Sequence, residues 1–199
     1  MRIIVVGGAG TIGRSVVELL SARHDVVVAG RQSGELQVDI SSRDSVQAMY
    51  RRVGSFDAVA SAAGEAHFGP LESATEEDLA LGLHSKLLGQ MRLVLEGRSL
   101  ISEGGSFTLM SGYIFDDPIP EATSFAVANG GVEGFVRAAA LSLKRRVRIN
   151  AVSPGMAQDS SEQFGAFNPG RAPVPMSEIA SAFQRSIEGW RTGEVIRAW

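Results

Sequence analysis

At 199 residues with 44% hydrophobic content, the chain is long enough for one compact core burying roughly 70% of its unfolded surface. A net charge of -3 supplies no basic face for nucleic acid, and the absence of cysteine excludes disulfides, thiolate nucleophiles, iron–sulfur clusters and cysteine-based zinc sites. No apolar run approaches the ~20 residues of a membrane span, and the opening run Ile3–Val6 is too short for a signal peptide, so a cytoplasmic address and no membrane partner are expected.

Ile3–Val6 is the first predicted strand, and a helical pattern follows at Thr11–Ala22. Between them Val6-Gly-Gly-Ala-Gly-Thr-Ile-Gly13 places Gly7, Gly10 and Gly13 in a G-x-x-G-x-x-G frame. Glycine lets the backbone approach a pyrophosphate closely, while the N–H groups at the helix start, around Thr11 and Ile12, hold negative charge. The second strand, Val26–Ala29, ends in Gly30-Arg31-Gln32-Ser33. A carboxylate there would accept from the 2′-hydroxyl of NAD; Arg31 and Ser33 instead suit a 2′-phosphate, so NADP(H) is the expected cofactor.

A helix over Ser42–Arg52 is signalled by Ser42 as N-cap with Asp44 behind it, and a long helix over Thr75–Ser99 by Thr75 with Glu76 to Asp78. Strands at Ala58–Ala62, Phe107–Met110, Ile149–Val152 and Val195–Ile196 and helices at Phe125–Leu143 and Ser177–Glu188 complete the alternation. Met156–Pro175, with its Gly and Pro residues, reads as a surface loop able to act as a lid. Apolar runs without strict alternation, separated by helices, predict a doubly wound, Rossmann-type α/β fold. Its mostly parallel sheet is flanked by helices in a single domain over residues 1–199, with no repeat or linker. His24 reads as a dipole partner for the first helix, and His67 lies beside the expected pocket. His84 shares no helix face with Lys86; no metal site is expected.

Further segments extend over the whole chain. Asp39-Ile40, Ser61-Ala-Ala-Gly64, Asn150-Ala-Val-Ser-Pro-Gly155 and Thr192-Gly-Glu-Val-Ile196 accompany the glycine turn in order. Together with Ser124-Phe-Ala-Val-Ala-Asn-Gly-Gly-Val-Glu-Gly-Phe135 they resemble the short-chain dehydrogenase/reductase family. The resemblance implies that Asp39 and Ile40 meet the adenine, that Ala62, Ala63 and Gly64 form the turn after the fourth strand, and that Pro154 and Gly155 lie along the nicotinamide. It also implies a small-molecule substrate and a homodimer or homotetramer built on the helices near Thr75–Ser99 and Phe125–Leu143.

The family's catalytic Tyr and Lys positions carry Phe125 and Asn129, its Ser position falls on Gly112, and its Asn position on Lys86. Phe cannot move a proton, and Asn carries no charge to shift a neighbouring pKa. The substitutes at hand are Ser111 to orient a carbonyl, Tyr113 to supply a phenol and Lys86 to contact the cofactor ribose or act as an acid or base. The leading expectation is an NADP(H)-binding oxidoreductase of a small carbonyl or alcohol with atypical catalytic residues. The alternatives are a non-redox cyclisation, dehydration or isomerisation on the same scaffold, and a nucleotide-binding regulator without turnover.

Overall fold

The computed structural model describes residues 1–144 and 146–199. The strands are β1 (Arg2–Val6), β2 (Asp25–Gly30), β3 (Leu36–Gln37), β4 (Phe56–Ser61), β5 (Ile101–Met110), β6 (Arg148–Pro154) and β7 (Val195–Ala198). The helices are α1 (Thr11–Ser21), α2 (Arg43–Val53), α3 (Glu76–Leu81), α4 (Leu88–Gly97), α5 (Thr123–Ala140), α6 (Ser161–Phe164) and α7 (Met176–Glu188). One seven-stranded sheet runs in the order β3-β2-β1-β4-β5-β6-β7, and its strand pairs are parallel. The chain reverses its direction of travel between β1 and β4, the point where doubly wound sheets open a ligand crevice beyond the strand ends.

Strand alternation sends side chains to two cores. Ile4 and Val6 of β1 join Val59, Phe107 and Ile149 beneath α2, α4 and α5, meeting Met49, Leu93 and Val136. Ile3 and Val5 join Ala58, Ala60 and Val152 on the opposite face, against Leu20 of α1 and Ile179, Phe183 and Ile187 of α7. Fully burying a side chain of this size stabilises by about 1.5–3 kcal/mol. Both expected N-caps form. Ser42 accepts from the N–H of Ser45 at 3.3 Å; Thr75 and Asp78 build a reciprocal capping box at 2.9 and 3.2 Å.

Three elements differ from expectation. The helix expected over Thr75–Ser99 is interrupted by a π-helical segment at Gly82–Leu87, whose wide turn sets Gly82 against Ser124 and Lys86 under Gly64. The two-residue β3 is too short to carry a periodicity. Inside Met156–Pro175 the chain folds into α6 and an isolated parallel bridge between Ala157 and Val174. Among the described residues, no helix is long and apolar enough to cross a membrane.

Candidate active site

The C-terminal end of β1 is stitched to both neighbours: Gly7 N–H donates to Ala29 O at 2.7 Å, and Ala62 N–H donates to Val6 O at 2.8 Å. Gly7 sits at φ 78, where a Cβ would also lie 2.7 Å from Ala62 O. The buried Gly13 seats α1 on this turn, since a Cβ there would meet Gly7 O at 2.0 Å. Gly10 is the open one: only Gly7 O, at 3.2 Å, stands near its missing Cβ. It caps α1 without a side-chain hydrogen bond, and the first turn, beginning at the exposed Thr11, holds no acid. The positive end of α1 is therefore free to meet a phosphate.

Two cavities follow from this turn. One of about 460 Å³ is lined by Val38, Asp39, Ile40, Ala63 and Gly64. The other, of about 520 Å³, is lined by Ala9, Gly10, Gln32, Ser33 and Ala62. Hydrogen bonds from the Ser41 hydroxyl (2.6 Å) and N–H (2.9 Å) hold the Asp39 carboxyl below the usual range against a smaller opposing effect of burial. Ile40 packs on Gly89, where a Cβ would come within 2.8 Å of its Cδ1. Arg31 pairs with Glu65, and both line both cavities. The glycine cradle, the bare helix start and the Arg31 guanidinium fit a dinucleotide phosphate.

Beyond the ends of β5 and β6 lies a cavity of about 210 Å³. It gathers Lys86, Ser111, Gly112, Tyr113, Phe125 and Asn129, with Ile12, Pro154 and Gly155 on the side towards α1. Gly64, at φ 124, lies against the Lys86 backbone, 2.7 Å from its Cα as judged from an added Cβ. Lys86 is 5% exposed; its Nζ donates to Ser111 O at 3.2 Å and stands 5.6 Å from the Phe125 ring centroid. Burial without a carboxylate partner pulls its pKa down to about 8. Asn129 donates from Nδ2 to Gly112 O at 3.3 Å, leaving its buried Oδ1 without a partner among the described residues.

Two of the substitute groups have their protons committed elsewhere. The Ser111 hydroxyl donates to Glu133 Oε1 at 2.9 Å, so its single proton is turned away from a bound carbonyl. Glu133 is fully buried and is offset by Arg137 one turn later at 3.2 Å. The Tyr113 hydroxyl donates to Asn168 Oδ1 at 2.5 Å, and burial pushes the phenol above its usual pKa. Tyr113 thus ties the 156–175 loop to the cavity rim, while Arg171 stacks over its ring and pairs with Asp117.

Two of the histidines stand beside carboxylates. His24 binds Glu188 of α7 at 2.9 Å through Nε2, because α7 packs beside the end of α1. His67 is drawn to Asp78 at 3.3 Å and does not line the reaction cavity. The sequence reading missed Glu65, Glu133, Asn168 and Gln90. Gln90 brackets Met110 through both backbone groups at 2.7 and 2.9 Å, fixing the end of β5. Buried polar residues set in apolar helices, as Gln90 and Glu133 are, were the available signal.

A family model described as enoyl-(acyl carrier protein) reductase matches residues 11–179. The protein lin1944 from Listeria innocua superposes with a TM-score of 0.98 at 42% identity, covering 100% of both chains. A small-chain dehydrogenase in complex with NADPH gives 0.87 at 26% identity, over 99% of this chain and 95% of that one. A 3-oxoacyl-(acyl-carrier-protein) reductase of Mus musculus is 27% identical over 172 residues, 76% of this chain and 73% of its own length. A short-chain type dehydrogenase/reductase of Sinorhizobium fredii is 28% identical over 174 residues; the match takes in 77% of this chain and 32% of that protein. With the family model spanning most of the sequence, the chain belongs to the short-chain dehydrogenase/reductase family.

Proposed function

We propose that the protein is an NADP(H)-dependent oxidoreductase that interconverts a small, largely apolar carbonyl compound and its alcohol, with Lys86 as the proton donor. The observation that carries this reading is the buried Lys86 ammonium in a largely apolar cavity next to the glycine turn. Bound nicotinamide supplies or accepts the hydride. The Ser111 carbonyl takes one Lys86 N–H and leaves two for a substrate oxygen. A pKa near 8 keeps the ammonium present at neutral pH and willing to give up its proton. The unpartnered Oδ1 of Asn129 suits a hydroxyl or amide donor. Phe68, Met110, Ile114, Phe125, Met156 and Phe164 leave room for a compact apolar substrate.

Arg31 and Ser33 support a preference for NADP(H) over NAD(H). That the relatives are named dehydrogenases and reductases favours redox chemistry over the non-redox and regulatory readings. We extend the reading to a cytoplasmic homodimer or homotetramer. Exposed Leu95 and Val127 on α4 and α5, and open space beside Gly134, support contact there, which light scattering at micromolar concentration tests. Gly130 and Gly131 are already filled from within the chain, by Phe115 and Leu87. The activity itself is tested by following NADPH oxidation against a panel of small aromatic and aliphatic aldehydes and ketones. Turnover that Lys86→Met abolishes supports the reading; unchanged turnover in that variant refutes it.

A further inference from the structure

We infer that Glu65 is a specificity-determining residue that competes with the cofactor's 2′-phosphate for Arg31; the inference rests on the NADP(H) reading above. β1 pairs with β2 on one side and β4 on the other. Arg31, just after β2, and Glu65, just after β4, are therefore about two strand spacings apart, roughly 10 Å, across the turn at Gly7. Their side chains close that distance and form an ion pair over the turn. Arg31 and Glu65 line both cavities of the groove, with Gly7 and Gly30 beneath them, so the pair stands as a strap between an adenosine side at Asp39 and Ile40 and a phosphate side at Gly10 and Ser33. A 2′-phosphate that engages Arg31 has to displace the Glu65 carboxylate from it.

The root of Glu65 is fixed, because its N–H donates to Ser85 Oγ on the π-helical segment at 3.0 Å. The carboxylate is free to leave, because the Arg31 and Glu65 side chains are 58% and 52% exposed. A 2′-phosphate offers Arg31 nearly two negative charges and three acceptor oxygens, against the single charge of an exposed carboxylate. The ion pair with Glu65 has to be broken for this, and its loss offsets part of what NADPH gains. A 2′-hydroxyl gives Arg31 no comparable reward, so NADH leaves the pair largely undisturbed. Glu65 in this way narrows the margin by which Arg31 favours the phosphorylated cofactor.

The test is fluorescence titration of NADPH and NADH into the full chain as wild type, Glu65→Gln, Arg31→Ala and the double variant. Glu65→Gln is expected to tighten NADPH by about two- to fivefold, the range of an exposed ion pair, and to leave NADH unchanged. In the Arg31→Ala background the same change is expected to do nothing, an outcome that general loosening of the loop would not produce. Equal tightening of both cofactors, or unaltered NADPH binding in Glu65→Gln while Arg31→Ala still loses it, would overturn the inference and leave the NADP(H) reading standing. NADPH binding that is indifferent to Arg31→Ala would overturn the reading beneath it, and the inference with it. Should Glu65→Gln fold poorly by circular dichroism, Glu65→Ala carries the same expectations.

Discussion

The Lys86 ammonium lies 5.6 Å from the centroid of the Phe125 ring, and both side chains line the same cavity. A cation over an aromatic face is stabilised by the ring quadrupole, by about 0.5–2 kcal/mol depending on desolvation. This is less than a carboxylate would give, so burial still dominates and the pKa still falls. Phe125, which carries no proton, therefore helps to hold one that Lys86 can donate.

That charge has a stability signature. Lys86 titrates at about 8 in the folded chain against an ordinary value of 10.5. Below pH 8 both states are protonated and the folded state bears the full cost of the buried ammonium. Between about 8 and 10.5 the unfolded chain binds more protons, so this group's contribution to stability rises with pH. At about 1.4 kcal/mol per pH unit, the span corresponds to about 3 kcal/mol. Lys86→Met is expected to melt above the wild type at pH 7, with the gap closing towards pH 10. A gap that stays constant with pH would contradict the assigned cause.

Tyr113→Phe separates a loop tie from a proton donor. Losing the bond to Asn168 leaves a buried amide oxygen unsatisfied, which costs roughly 1–3 kcal/mol and loosens the 156–175 loop. KM is expected to rise severalfold, while the pH dependence of kcat keeps its shape. A displaced or missing pH limb in Tyr113→Phe would return the phenol to the chemistry.

On the NADP(H) reading, Arg31→Ala is expected to remove a charge-assisted phosphate contact of ~1.5–3 kcal/mol and to weaken NADPH roughly ten- to a hundredfold. NADH binding is expected to change little. Identical losses for the two cofactors in an isothermal titration would show that Arg31 does not read the 2′-phosphate.

Phe125→Tyr with Asn129→Lys restores the side chains that the family resemblance expects at those positions. The new phenol would enter the cavity beside Lys86, and acid–base help of this kind contributes up to about 10²–10⁴-fold. The pair together is expected to raise NADPH-dependent carbonyl reduction, and either change alone to raise it less. A double variant no faster than the wild type would mean that the cavity does not present substrate to residue 125.

The strand–helix alternation and the glycine turn were legible because both follow from local pattern: β-branched runs for a sheet covered on two faces, and Gly7 and Gly10 where the backbone must bend or stay bare. Lys86, Ser111 and Tyr113 were placed in one cavity by strand ends that the sequence order already implied. What each does there was not legible, because it depends on partners 18 to 55 residues away: Asn129 and Glu133 for Ser111, Asn168 for Tyr113. The π-helical turn that carries Lys86 inward leaves no period in so short a window. Glu65 was invisible for a similar reason, since its meaning lies in Arg31, 34 residues earlier and across an intervening strand.

The claim that Lys86 supplies the proton is tested most directly by the pH profile of NADPH-dependent carbonyl reduction under single-turnover conditions. With the ammonium as donor, the rate is expected to be level below the Lys86 pKa of about 8 and to fall above it. Lys86→Met is expected to abolish that limb and to lower the plateau by about 10²–10⁴-fold, with NADPH affinity unchanged. A Lys86→Met protein that keeps both the rate and the descending limb would contradict the account.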